Sequence, residues 1–325
     1  MEQLTKLICD TEAFKSLKKQ FEQNAFSHAY LVSGQDPLLL KKFLVFATAL
    51  ALCPKGGCFK CITCNKVFSE NHVDVKKYPS EKGKYFVTDI NEIIDDCYVK
   101  PFEGERKVYI LNDFDTMSVV LQNKLLKTLE EPPENTVFFL GAFNTSAVLP
   151  TVKSRCQKIH LDYVDFEKVI SYLVGEGINE ANAEIAASFC DGMPLTAESY
   201  ARDKTFFVLF DKVVECVKNL DSSRDSLRTV SQLLSLSVDF KIVLKVMETL
   251  FVQTLKAYSD EDLLLLKHKK NDILTIKQKF SQRAVYNILP LLDKAKISLE
   301  NNCNQTVVAD KLVLGILEVR YSCPK

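Results

Sequence analysis

The sequence predicts an α/β domain with a P-loop-type parallel sheet in its first half and a helical remainder. Three observations carry that prediction. Between His28 and Leu161, short β-branched or aromatic runs alternate with helical stretches, the pattern of a parallel sheet with crossover helices. One run passes through a lone glycine into an apolar helix, giving the strand, loop, helix order of a phosphate-binding loop. Beyond about Asp162 the strand signal fades and amphipathic helical periodicity takes over.

Element by element, Ala29-Tyr30-Leu31-Val32 reads as a buried strand, Gly34 as its loop, and Leu38 to Leu52 as the helix after it. Further strands are expected at Tyr85-Phe86-Val87, Val108-Tyr109-Ile110-Leu111, Val137-Phe138-Phe139-Leu140 and Gln157-Lys158-Ile159-His160. Leu121, Leu125, Leu126 and Leu129 recur at helical spacing until Pro132-Pro133 ends the helix, since proline lacks the amide that continuation needs. Shorter helices follow at Phe166 to Leu173 and Ala181 to Phe189, and Gly192-Met193-Pro194 interrupts the pattern. Long helices then include Lys241 to Tyr258 and Ser281 to Asn301, and wide apolar faces such as Leu312-Val313-Leu314-Gly315-Ile316-Leu317 suit burial within the domain or against other subunits.

Composition bounds the function. With 325 residues, 47% of them hydrophobic, the chain has material for two or three domains. Basic and acidic residues both total 42, so the field expected of an autonomous nucleic-acid binder is missing, and any DNA contact is shared or local. The amino terminus has no apolar core like that of a signal peptide and no stretch resembles a membrane span, so the cytoplasm is the expected location.

The strongest chemical signal is Cys53-x4-Cys58-x2-Cys61-x2-Cys64. Four thiolates on a short loop can close a tetrahedron around zinc, leaving no open position for water, so the expected site is structural. A redox dithiol or an iron-sulfur cluster competes, but Lys55, Gly56, Gly57 and Lys60 suit a zinc knuckle. His72 is a nearby substitute if Cys53 is not a ligand. Such a knuckle can bind nucleic acid, although Phe59 is the only aromatic residue within it for stacking on a base. The isolated Cys9, Cys97, Cys190, Cys216, Cys303 and Cys323 are expected to be small packed hydrophobes.

The phosphate loop is degenerate. In G-x-x-x-x-G-K-[ST], backbone amides wrap the phosphates, the lysine neutralises them and the hydroxyl serves magnesium. Counted from Gly34, the last three positions are Leu39, Leu40 and Lys41. Bulky Leu39 obstructs the close backbone approach a glycine permits, and ATP binding here is not expected.

Taken with that loop and the cysteine cluster, Leu125-Leu126-Lys127-Thr128-Leu129-Glu130-Glu131-Pro132-Pro133 and Ser154-Arg155-Cys156 resemble the bacterial clamp-loader family. The resemblance runs from His28-Ala29-Tyr30-Leu31 to Asn301-Asn302-Cys303-Asn304 and points to the branch that does not bind ATP. It implies an AAA+ α/β domain over residues 1–162 with a zinc module inserted at about 53–64, a small helical lid at 163–202, and an all-α C-terminal collar at 203–325. The implied partners are ATPase subunits of the gamma/tau type, a delta subunit, and, through the assembly, the sliding clamp and primed DNA.

Residue by residue, the resemblance places Asn112 and Asp113 where an active relative has its magnesium-binding aspartate and catalytic glutamate, with Asp115 as a structural acid. Ala142 and Phe143 fall where threonines sense the terminal phosphate, and Leu195 where an arginine closes over the nucleotide. Arg155 is implied to act in trans, pointing a permanently charged guanidinium into the ATP site of the next subunit, with Ser154 and Cys156 positioning it. Zinc is the only cofactor implied. The gap between Cys53 and Cys58 is shorter than usual in the family. An active AAA+ ATPase and a zinc-dependent nucleic-acid-binding protein are the alternative classes, told apart by ATP turnover of the isolated chain and by salt-dependent DNA binding without partners.

Overall fold

Five strands, β1 (Ala29–Gly34), β2 (Val75–Tyr78), β3 (Lys107–Leu111), β4 (Thr136–Ala142) and β5 (Gln157–Leu161), form one parallel sheet in the order β2-β3-β4-β1-β5. The computed structural model describes residues 2–81, 83–220, 223–235 and 239–324. They divide into two compact units, Met1–Val164 with Met193–Thr196, and Asp165–Gly192 with Ala197–Lys325.

In the first unit the helices are α1 (Glu2–Cys9), α2 (Glu12–Glu22), α3 (Pro37–Leu52), α4 (Ile62–Phe68), α5 (Val87–Cys97), α6 (Val119–Glu130) and α7 (Pro150–Lys153). Strands β3 and β4 are buried along their whole length, which is why they read as continuous apolar runs. One core gathers Leu31, Tyr109, Leu111, Phe138 and Leu140 of the sheet with Ile90 and Ile93 of α5 and Leu121, Leu125 and Leu129 of α6. Helix α3 begins with Asp36 as its cap and Pro37 at its first position, where proline's missing amide costs nothing, and from Phe43 onward every residue but Val45 is buried. Close packing shapes the strand ends: a Cβ on Gly34 would lie 3.0 Å from Leu161 Cβ. Ligand sites of open parallel sheets lie at the carboxyl ends of the strands, here Gly34, Asn112 and Phe143.

The strand expected at Tyr85-Phe86-Val87 does not form. Helix α5 starts at Val87, the Phe86 amide donates to Asp89 Oδ2 at 2.8 Å, and the Tyr85 hydroxyl donates to the Asn112 carbonyl at 2.5 Å. The buried series Ile90, Ile93 and Cys97 imposes helical spacing on the segment, while Phe86 and Val87 are exposed. The remaining strand is instead β2, an edge strand whose Lys76 and Lys77 break its apolar run.

The second unit is helical: α8 (Phe166–Gly175), α9 (Glu180–Cys190), most of α10 (Pro194–Arg202), α11 (Lys204–Lys218), α12 (Ser223–Leu234), α13 (Phe240–Ser259), α14 (Lys270–Lys279), α15 (Gln282–Glu300) and α16 (Gln305–Ser322). Helix α13 buries Val243, Leu244, Met247, Leu250 and Phe251 among α11, α14 and α15. Gly315 lets α16 approach α15, since a Cβ there would meet Leu291 Cδ1 at 3.2 Å. Among the described residues no helix is long and apolar enough to cross a membrane.

Of the isolated cysteines, Cys97, Cys190 and Cys216 are buried as expected, and Cys9 and Cys323 are half-buried. Cys303 departs from that expectation. It is exposed, because it lies in the turn that reverses the chain between α15 and α16.

Candidate functional site

Where a nucleotide's phosphates would meet the first turn of α3, the chain places its own carboxylate. Asp36 is 4% exposed. Its Oδ1 accepts the amides of Leu38 at 3.0 Å and Leu39 at 3.1 Å, together with the Thr196 hydroxyl at 3.0 Å. Its Oδ2 accepts the amides of Leu195 at 2.9 Å and Thr196 at 3.2 Å. The amides at both helix starts, α3 and α10, are otherwise unsatisfied donors that favour an anion, and Asp36 satisfies them. Leu195 thus contributes its amide, not a side chain that reaches for a nucleotide.

The neighbouring positions are likewise engaged within the chain. Asn112, after β3, is buried and donates from Nδ2 to the Tyr78 carbonyl at 3.5 Å. Asp113 adopts a left-handed conformation with φ 50° and is ion-paired with Lys41. Asp115 accepts the amides of Phe143 at 3.3 Å and Asn144 at 2.8 Å, which fixes the loop after β4. Ala142 is buried and Phe143 is exposed, so neither side chain offers a hydrogen bond to a phosphate.

Ser154, Arg155 and Cys156 follow α7 and lead into β5. Arg155 Nη1 donates to the Thr151 carbonyl at 2.7 Å and approaches Ser154 Oγ at 3.4 Å. Nη2 forms an ion pair with Glu130, the last residue of α6. Nε is buried without a partner. Ser154 Oγ donates to the Thr151 carbonyl at 3.0 Å, closing the turn on which the arginine sits. Cys156 packs in the core and its thiol is pushed up to about 12 by burial, which makes it inert as a nucleophile.

All four cluster cysteines come together, with their sulfurs within 4.8 Å of one another. Cys53 caps the end of α3, and Cys61 caps the start of α4, accepting the Cys64 amide at 3.5 Å. Cys53 Sγ lies 3.6 Å from Cys58 Sγ and 3.7 Å from Cys61 Sγ. A tetrahedral site with metal-sulfur bonds of about 2.3 Å has edges of about 3.8 Å, so the sulfurs fit such an ion, and they are far beyond the ~2.05 Å of a disulfide. Gly57, at φ 79°, makes the turn between Cys53 and Cys58, where a Cβ would lie 2.8 Å from Leu50 Cδ1. The amide of Lys60 holds the Cys58 thiol down to about 6, the Cys64 amide lowers Cys61, and burial raises Cys64. Such a group can hold a metal ion.

His72 is outside this cluster: it is buried, and its Nδ1 accepts the Asp74 amide at 3.2 Å. Phe59 is not a free stacking platform, because its ring packs against Phe46 at 5.1 Å, Phe14 at 5.8 Å and Phe68 at 6.1 Å.

Three pairings within the site escaped the sequence reading. Asp36-Pro37 carries an ordinary helix-start signal, so its capping role was legible, but its capture of Leu195 and Thr196 was not. Nothing in the sequence pairs Glu130 with Arg155, or Lys41 with Asp113.

Residues 9–165 match the family described as DNA polymerase III, delta subunit. The DNA polymerase III subunit tau of Escherichia coli (strain K12) is 32% identical over 149 residues, 44% of this chain and 23% of that protein. The DNA polymerase III subunit delta' of Bacillus subtilis (strain 168) is 26% identical over 194 residues, 58% of this chain and 59% of that protein. The chain therefore spans less than two thirds of either relative's length. A solved structure of a DNA polymerase III, gamma subunit-related protein from Thermotoga maritima aligns with 94% of this chain and 99% of its own, at 21% identity and a TM-score of 0.49.

Proposed function

We propose that this chain, whose residues 9–165 match the family described as DNA polymerase III, delta subunit, is a delta-prime subunit of a clamp loader that binds no ATP and lends Arg155 to a neighbouring ATPase. It is a stator, the fixed part against which a gamma/tau motor subunit works, in an assembly with a delta subunit that loads the sliding clamp onto primed DNA. Residues 163–202 serve as its lid and residues 203–325 as the collar that joins it to other subunits.

The observation that carries this reading is Asp36. Its carboxylate already accepts four amides and a hydroxyl where phosphates would bind. A phosphate oxygen arriving about 4 Å away would meet repulsion of about 4 kcal/mol per unit charge at an effective dielectric of about 20, besides having to displace the carboxylate. Leu39 and Leu40 offer no compensating glycine or lysine.

Arg155 is suited to act on another chain's ATP. Its guanidinium is planar and permanently charged, and the turn beneath it is closed by Ser154 and anchored by buried Cys156. A guanidinium directed at a transferring phosphoryl group stabilises the charge that develops there, an effect of roughly 10³ to 10⁵-fold in related reactions. Zinc held by Cys53, Cys58, Cys61 and Cys64 fixes the loop between α3 and α4 and has no position left for chemistry.

The test is ATP hydrolysis by a clamp loader reconstituted with gamma/tau and delta subunits, sliding clamp and primed DNA, comparing this chain with its Arg155→Ala variant. Turnover should fall about tenfold or more with assembly intact, and the isolated chain should bind no ATP. Equal turnover in the two equally assembled complexes would remove the trans role of Arg155, and ATP bound by the isolated chain would refute the stator.

A further inference from the structure

We propose that Glu130 is the positioning residue for Arg155, holding its guanidinium within this chain until the triphosphate of a neighbouring subunit takes its place; the inference rests on the trans role of Arg155 given above. The two residues are set on rigid supports. Glu130 follows Leu129, which is buried and whose carbonyl is bonded to His28 Nε2 at 3.0 Å, and Arg155 precedes buried Cys156. Their side chains meet between the end of α6 and the turn after α7, with the glutamate half exposed.

The pairing uses the guanidinium unevenly. Nη1 is committed to the neutral carbonyl of Thr151 at 2.7 Å, a bond that need not break when the other edge is used. The opposite edge carries Nη2 and Nε, a geometry made for two parallel bonds to a carboxylate or a phosphate. Glu130 takes only Nη2, and Nε is left buried without a partner. An edge built for two acceptors is therefore half used. A phosphate group can bond both nitrogens at once and brings more charge than one carboxylate, so it displaces Glu130 while Thr151 keeps the arginine in place. In the absence of a correctly seated neighbour, Glu130 keeps the guanidinium from engaging the ATP site.

ATP turnover of the reconstituted clamp loader, measured with and without clamp and primed DNA, tests this with Glu130→Gln, Glu130→Asp, Arg155→Ala and the Glu130→Gln/Arg155→Ala double variant. Glu130→Gln should raise turnover without clamp and DNA by about two- to fivefold, the size of one exposed ion pair, with an unchanged melting temperature. Glu130→Asp, which keeps the charge, should lie nearer the unsubstituted protein, and the double variant should match Arg155→Ala alone. If Arg155→Ala lowers turnover but Glu130→Gln leaves it unchanged or lower, or if the rise persists in the double variant, the positioning role is overturned and the trans arginine stands. If Arg155→Ala changes nothing, the trans arginine itself fails and the role of Glu130 falls with it.

Discussion

Lys41 Nζ lies 2.7 Å from Asp113 Oδ2, so the position that supplies a magnesium-binding hydroxyl in a working phosphate loop carries an ammonium instead. With Asp36 seated on the amides of α3 and α10, the site has its own anion and its own cation. The Lys41 pair is partly exposed and contributes no more than about 1 kcal/mol to stability. Its significance is one of occupancy.

Restoring the loop alone should therefore not restore the nucleotide. The triple substitution Leu39→Gly, Leu40→Lys, Lys41→Thr is expected to leave ATP unbound in titration calorimetry, because Asp36 still holds the amides. Asp36→Asn should destabilise the chain by roughly 1.5–3 kcal/mol in denaturant unfolding, the loss of charge-assisted bonds to buried amides. Micromolar ATP binding by the triple variant would refute the blocking role of Asp36.

Elemental analysis should find one zinc per chain, and Cys53→Ser, Cys58→Ser, Cys61→Ser and Cys64→Ser should each lose most of it. His72→Ala should keep its metal, because His72 lies outside the cluster. Retention of zinc by the Cys53→Ser protein would exclude Cys53 as a ligand.

Brief alkylation followed by mass spectrometry should label Cys303 first, as the exposed thiol among the described cysteines. Cys97 and Cys216, both pushed up to about 11 chiefly by burial, and Cys156 should resist until the chain unfolds. Chelation should bring the cluster thiols into the labelled set. Rapid labelling of Cys156 in the folded protein would contradict its packing.

Acid should destabilise the sheet unit through Asp74 and Asp96. Burial works against ionisation of Asp74, but the amides of Phe102, Gly104 and Glu103 outweigh it and hold its carboxyl below the usual range. Burial likewise opposes ionisation of Asp96, outweighed by Tyr109 and Lys107. Both folded values are depressed, so the unfolded chain takes up protons first. Their stabilisation is present above about pH 4 and is lost as pH falls through the folded values. Urea unfolding between pH 6 and pH 2 should show this decline, and Asp74→Asn should flatten it; an unchanged slope would count against Asp74.

Much of the sheet was legible because β1, β3 and β4 are buried on both faces and spell out apolar runs. Strand β2 was hidden by its edge lysines, and Tyr85-Phe86-Val87 misled because β-branched and aromatic residues also begin helices. The cysteine cluster was readable because its four thiols are close in sequence. By contrast, the tie of Asp36 to Leu195 and Thr196 spans about 160 residues of chain, and the Glu130–Arg155 pair joins the end of α6 to the turn after α7. Spacing carries no trace of either, since both depend on how the chain folds back on itself.

Helix α3 has Asp36 at one end and Cys53 at the other, with sixteen residues between these two caps. At about 1.5 Å per residue this is a strut of about 24 Å. It is moored at one end by the carboxylate and at the other by the cysteine loop, and its flanks are clasped by the core. Because the rod between them is stiff, the cysteine loop at one end and the amides gathered by Asp36 at the other are held at a fixed separation.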